Sequence, residues 1–304
     1  MTAWLDTFIP TFGLLALGAL LKRSILPDDA VWAGMEKLVF WALLPALLVG
    51  AIGGSDIMNL PLGGMAGTIW GGLLAGSIVS LLLARALGCG HPAMTSVLQG
   101  GIRYNNLMGF ALGGALWGPP AIAMGGIVSA FIVPFVQVAI TLAFSSGGPR
   151  PSPARMLRQL LLNPLMLACF AGFALAALGG PPPGLAPLLR TLGQASVAIG
   201  LLAVGAALSP GALGSQPLTQ LLTGMVKLAI VPAITLGLAL LFGLEPMALK
   251  IAVLFMALPT ATTSYVMARA MGGDAPLMAA LITTQHVAAI VSLPLWVLFL
   301  GFLQ

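Results

Sequence analysis

The feature that most constrains this chain is a succession of ten apolar stretches, separated by charges or by joints rich in proline and glycine. They run over residues 4–21, 31–52, 62–87, 93–117, 121–144, 163–178, 187–208, 218–242, 246–271 and 275–300. A helix that crosses a bilayer needs about 20 mostly apolar residues. The pattern therefore predicts an all-α, polytopic membrane protein with ten transmembrane helices. Composition closes off the alternatives. Only 6% of the 304 residues are charged, whereas a soluble domain carries about 25% to cover its surface. Disordered chains are polar and highly charged, which excludes that class as well. The twelve Lys and Arg residues are scattered, so they form no basic patch for nucleic acid.

Chemistry based on cysteine or histidine has little to build on. Cys89 and Cys169, with His91 and His286, are the full set of both residue types, and neither pair has metal-ligand spacing. No metal and no cofactor is expected. The segment 1–7 lacks a basic start and carries Asp6, so the first stretch is expected to remain as a membrane helix rather than a cleaved signal. Orientation follows the basic residues. Loops after odd-numbered spans hold Lys22, Arg23, Arg85, Arg150, Arg155, Arg158 and Arg269, and loops after even-numbered spans hold only Arg190 and Lys250. This places the odd loops in the cytoplasm and both termini outside. The longest polar segment, 145–159, reads as a central linker that includes a turn lying on the membrane surface.

Cut at that linker, the chain falls into two halves of five spans, 1–150 and 151–304. A shift of 154 positions lays Pro10 on Pro164, Gly18 on Gly172, Pro27 on Pro181, Gly118 on Gly272 and Met124 on Met278. Five is odd, so the second half enters the membrane from the opposite side. The halves are then inverted repeats, an architecture of many secondary transporters. The same shift pairs the fourth span with the ninth, and these two have the least helix-like centres. One reads Gly100-Gly101-Ile102-Arg103-Tyr104-Asn105-Asn106, the other Leu258-Pro259-Thr260-Ala261-Thr262-Thr263-Ser264. Proline removes a backbone donor, and Asn, Ser and Thr compete with the helix through their side chains. Matched interruptions in two halves point to a transporter's binding site.

These residues resemble the auxin efflux carrier family. The resemblance rests on Phe8-Ile9-Pro10 to Gly18, Lys37-Leu38-Val39-Phe40 to Leu44-Pro45, Arg103-Tyr104-Asn105-Asn106, Lys227 to Pro232, and Ala257-Leu258-Pro259-Thr260 to Arg269 with Gly273-Asp274. It covers nearly the whole chain, and the short linker is similar to the bacterial branch, which implies a bacterial inner membrane. The resemblance implies discontinuous, crossing fourth and ninth helices, and a fold related to bile acid sodium symporters. It also implies a transport core from spans 3–5 and 8–10, a scaffold from spans 1, 2, 6 and 7, homodimers, and small organic anions, auxin-like or dicarboxylate, as substrates. The family's plant members carry proline at both crossings. Here none adjoins Asn105 or Asn106, so the fourth span is expected to break on amides and glycines alone.

The expected substrate-binding set is Arg103, Asn105, Asn106, Pro259, Thr260, Thr262, Thr263, Gln137 and Gln285. Half-helices that begin at mid-membrane present unpaired N–H groups and a partial positive charge, which favour an anion. Arg103 adds a full charge whose burial calls for a wet cavity or an anionic partner. His286, in the tenth span, is the candidate for a coupling proton because its ordinary pKa lies near physiological pH. Lys227 lies about 13 Å inside the eighth span at 1.5 Å per residue and is expected to snorkel to the surface. Glu36 and Lys37 are expected to form an interfacial pair. The expected activity is alternating-access transport of small organic anions, with a sodium-coupled symporter as the nearest rival and an anion channel behind it. An enzyme is not expected, since no Gly-x-Ser-x-Gly elbow or nucleophile–base pair occurs.

Overall fold

The computed structural model describes residues 2–55, 62–146, 154, 157–158 and 161–302, with the side chains of 2–4 and 62 left aside. The surface-lying turn expected in the central linker, with Arg150 and Arg155, lies outside the described residues. Twelve helices carry the described chain: α1 (Thr2–Ser24), α2 (Asp29–Gly53), α3 (Leu62–Ala86), α4 (His91–Ile102), α5 (Asn106–Trp117), α6 (Pro119–Ser145), α7 (Pro164–Ala177), α8 (Leu185–Ala206), α9 (Pro217–Leu241), α10 (Pro246–Ala257), α11 (Thr263–Met271) and α12 (Ala275–Gly301). Among the described residues, α1, α2, α3, α6, α8, α9 and α12 are long and apolar enough to cross a membrane. The other three expected spans are not single long helices. The sixth is the 14-residue α7, the fourth is split into α4 and α5, and the ninth into α10 and α11. The protein is thus all-helical where described, and polytopic.

The chain divides into two compact units, each drawing on both sequence halves. Unit one comprises Met1–Leu60, Leu107–Ala130 and Arg158–Ala207. In it α1 packs on α8, and α7 and α8 pack on the second part of α2. Glycines set the closeness of approach, as they do where lipid supplies no hydrophobic drive between helices. A Cβ on Gly18 would overlap the Leu202 carbonyl oxygen, and one on Gly172 would stand 3.4 Å from the Leu48 carbonyl oxygen. Shifting each residue number by 154 turns one of these contacts into the other. The pairing expected of Glu36 with Lys37 is not found: neighbours one apart on a helix point in different directions. Lys22 instead pairs with Asp29 and donates to the Pro27 carbonyl at 2.8 Å.

Unit two comprises Pro61–Asn106, Phe131–Leu157 and Leu208–Gln304. Its α3 lays a glycine row against α9. A Cβ on Gly71 would come within 2.8 Å of Leu238, and one on Gly76 within 2.8 Å of Val231. In α9 the turn Val226–Ile230 is widened, the Val231 N–H reaching back five residues to the Val226 carbonyl just ahead of Pro232. The same widening occurs in unit one at Val39–Leu43, ahead of Pro45. Proline lacks the N–H that would serve the carbonyl four residues back. For Pro232 that carbonyl is Leu228, and the Trp296 indole N–H donates to it at 2.7 Å.

One end of unit two gathers the loops that follow spans three, five, seven and nine. The Asp274 N–H donates to the Pro92 carbonyl at 3.0 Å, and the Ser96 hydroxyl donates to the Asp274 carbonyl at 2.9 Å. Gln216 Nε2 reaches the Asp274 carboxylate at 3.3 Å, and His91 Nε2 lies 3.0 Å from the Ala143 carbonyl. These are the loops that the distribution of basic residues groups together. Gly118 in unit one and Gly272 in unit two, 154 positions apart, both adopt left-handed backbone with φ of 72° and 78°, just before α6 and α12.

Candidate functional site

Both interrupted spans break in unit two, and each break has a local cause. Leu258 is extended (φ −67°, ψ 145°) because Pro259 after it excludes the helical conformation. Arg103 is extended in the same way (φ −75°, ψ 158°) with no proline nearby. There the cause is a rerouted carbonyl. In a continuing helix, the Gly100 carbonyl would accept from the N–H of Tyr104. It accepts instead from the Thr260 hydroxyl at 3.0 Å and from Gln285 Nε2 at 2.9 Å. The fourth span therefore breaks without a proline, as expected, but with donors from the ninth and tenth spans taking part.

The second break reroutes a helix bond as well. The Met256 carbonyl would accept from the Thr260 N–H, but that N–H donates to Gln285 Oε1 at 2.9 Å. The Met256 carbonyl accepts from Lys227 Nζ at 2.9 Å. Lys227 is wholly buried, at 0% exposure. The expected snorkelling is therefore wrong: the side chain points into unit two, because the widened turn that carries it sits against the end of α10. The breaks are also joined to each other, the Asn105 N–H donating to the Pro259 carbonyl at 2.8 Å.

Of the expected site residues, the structure brings most together. Asn105 Nδ2 lies 3.0 Å from His286 Nε2, and His286 Nδ1 lies 2.8 Å from the Ile282 carbonyl. A carbonyl only accepts, so the ring hydrogen sits on Nδ1 and Nε2 accepts from the Asn105 amide. Gln285, Thr260 and Asn105 are buried and spend their polar groups on the breaks. Asn106 opens α5, Thr262 precedes α11, and Thr263 is its exposed first residue. Gln137 stands apart: its Nε2 bonds Thr141 in its own helix at 3.3 Å, and no hydrogen bond links it to the others.

Arg103 is the charged member. Its guanidinium donates to Thr263 Oγ1 at 3.0 Å, to Met267 Sδ at 3.1 Å and to Gln99 Oε1 at 3.4 Å. All three acceptors are neutral, and among the described residues no carboxylate pairs with it. Gln99 belongs beside it and was not singled out from the sequence. Gln99 Nε2 and Ser264 Oγ are buried without a hydrogen-bond partner. The signal for Gln99 is its spacing, four residues before Arg103 and so on the same helix face.

A family model described as membrane transport protein matches residues 149–297. A protein of Rhizobium meliloti (strain 1021) named "Putative malonate transporter" is 26% identical over 275 residues, which cover 87% of this chain and 85% of that one. Both matches are to transport proteins rather than to enzymes. For a transporter, the arrangement has a direct chemical meaning. Arg103 and Lys227 both lie at C-terminal half-helix ends, where the backbone dipole favours a cation, and α5 and α11 begin beyond them. The breaks thus set the Arg103 guanidinium among neutral hydroxyls and amides, a setting for an anion.

Proposed function

We propose that this chain is a secondary carrier that moves small organic anions across a bacterial inner membrane by alternating access. The observation that carries the reading is Arg103 at a helix break, its guanidinium bonded only to neutral acceptors. A charge so placed is stabilised by an anion that comes and goes. The substrate contacts are Arg103, Asn106, Thr262 and Thr263, with Asn105, Pro259, Thr260 and Gln285 holding the two breaks in shape. His286 remains the coupling candidate, since Asn105 ties it to the break. Malonate, from the name of the Rhizobium meliloti relative, is the first substrate to test.

In this reading the ten spans form two inverted five-helix repeats related in fold to bile acid sodium symporters. Spans 3–5 and 8–10 supply the moving core and spans 1, 2, 6 and 7 the scaffold of a homodimer, with both termini outside. The repeat is supported by the matched 12-residue α4 and α10, by the matched 27-residue α6 and α12, and by the Gly118–Gly272 correspondence. The test is uptake of labelled malonate into proteoliposomes. Arg103→Ala is expected to lower it about tenfold or more, and Arg103→Lys to keep part of it, since a point charge survives without the planar fork. Saturable counterflow separates a carrier from a channel. Undiminished uptake by folded Arg103→Ala, or by Asn105→Leu with Asn106→Leu, removes the site.

A further inference from the structure

Lys227 has no role in the anion site as described, yet it is fully buried, and among the described residues no carboxylate pairs with it. Its ammonium sits on the Met256 carbonyl, one of the last carbonyls of a half-helix that stops inside unit two. Such ends carry partial negative charge and lack intrahelical donors. In secondary transporters, half-helix C-terminal ends and unwound carbonyls are where the coupling cation binds. The end of α4 offers no vacancy either, because the Gly100 carbonyl already accepts from Thr260 and Gln285. Beside Lys227, one turn earlier, Thr223 Oγ1 is buried with no hydrogen-bond partner. That hydroxyl is a further oxygen in the neighbourhood.

We propose that Lys227 is a built-in cation: its ammonium fills, at the end of α10, the place where a carrier of this architecture takes up a coupling ion. The chain then has no use for a sodium gradient. This rests on the transporter reading, but its test does not depend on transport alone. Wild-type protein in proteoliposomes should take up malonate at the same rate with sodium or with N-methylglucamine as the external cation. Lys227→Ala should lose about tenfold or more of that uptake in N-methylglucamine, the usual scale for removing one charged partner of a buried hydrogen bond, and recover part of it with methylammonium or sodium. Lys227→Arg should retain activity without added cation.

Melting of the purified protein gives the second readout. Methylammonium or sodium should raise the Tm of Lys227→Ala and leave wild type unmoved, because a ligand stabilises only the state with a vacant site. Wild-type uptake driven by inward sodium, or a Lys227→Ala variant whose Tm ignores every small cation, overturns the proposal. If wild type carries no malonate, the anion reading falls while the melting comparison still decides this one. If Lys227→Ala cannot be recovered folded, sodium-insensitive melting of wild type supports the built-in cation and a sodium-raised Tm overturns it.

Discussion

The two broken spans solve one backbone problem with different chemistry. At the end of α4, the freed Gly100 carbonyl is met by two neutral donors, the Thr260 hydroxyl and the Gln285 amide. At the end of α10, the freed Met256 carbonyl is met by a buried ammonium. The first break takes three residues and has no proline, whereas the second takes five and is seeded by Pro259. Because neutral donors already cap α4, the charge beside it, Arg103, is left to look outward at neutral hydroxyl, thioether and amide groups. At α10 the charge is consumed by the cap. One break therefore presents its cation and the other hides it, and the structural basis of an asymmetric site lies in that difference.

The largest expected effect comes from Gln285, which serves both breaks at once. Gln285→Leu strips one donor from the Gly100 carbonyl and leaves the buried Thr260 N–H without its acceptor. Leaving buried polar groups unpaired costs about 1–3 kcal/mol each, less where the membrane-embedded chain finds other partners. We expect a loss of about 2–4 kcal/mol, read as reduced resistance to unfolding in mixed micelles. Gln285→Glu, which keeps the acceptor, should cost less than Gln285→Leu. Equal losses would show that the Thr260 bond contributes nothing.

The next effect tests why only α4 ends in glycines. A Cβ on Gly101 would overlap Ser80 Oγ, and one on Gly100 would lie 2.9 Å from Thr223 Cγ2 and 3.0 Å from Leu281 Cδ1. The positions 154 residues on, in α10, are Leu254 and Phe255, which carry full side chains. Gly101→Ala should therefore cost about 1–3 kcal/mol, the range for overpacking. Gly101→Ala with Ser80→Gly should recover much of it, measured by the same unfolding assay. Failure of the double substitution to recover would place the glycine requirement in the backbone rather than in the neighbour.

How much of this could be read in advance differs by level. Span positions were legible to within a few residues because a bilayer imposes length and apolarity on every helix, and those are local properties. The breaks were legible at 100–106 and 258–264 because proline, amides and hydroxyls interrupt an otherwise apolar run. Lys227 was not. Depth along a helix says nothing of which side a residue faces, and the widened turn before Pro232 changes the facing of everything near it. Gln137 stands apart from the cluster for the opposite reason. An amide in a span draws attention, but its partner is Thr141, one turn away on the same helix. Gln99 lies ahead of the interrupted stretch at 100–106, and its spacing of four from Arg103 is its single signal in the sequence.

A smaller effect marks what the two halves share. Gly118 and Gly272 both have φ near the left-handed region's centre, where a side chain costs about 1 kcal/mol. Gly118→Ala and Gly272→Ala should destabilise to a similar degree, and Asn at either site should cost less than Ala. A large inequality between the two would count against a repeat at this joint.

The smallest effect concerns a feature that only the second half has. Asp274 precedes α12, its carboxylate accepting from the Leu277 N–H at 2.9 Å. The position 154 residues earlier is Pro120, which has no such group. Burial, and then the Asp274 charge, push the Cys89 thiol above its ordinary range. Less thiolate is present at a given pH, so Cys89 should alkylate slowly with maleimide near pH 8 and faster as pH rises. Cys169 is buried, which leaves Cys89 as the reporter. Asp274→Asn keeps a helix-capping oxygen but removes the charge. The thiol range then moves down, the thiolate fraction at pH 8 goes up, and labelling should quicken by less than about threefold, because solvent screens a carboxylate at this end of the unit. Labelling unchanged by Asp274→Asn would leave burial as the sole cause. A slower reaction would mean that the substitution had closed the loop over Cys89.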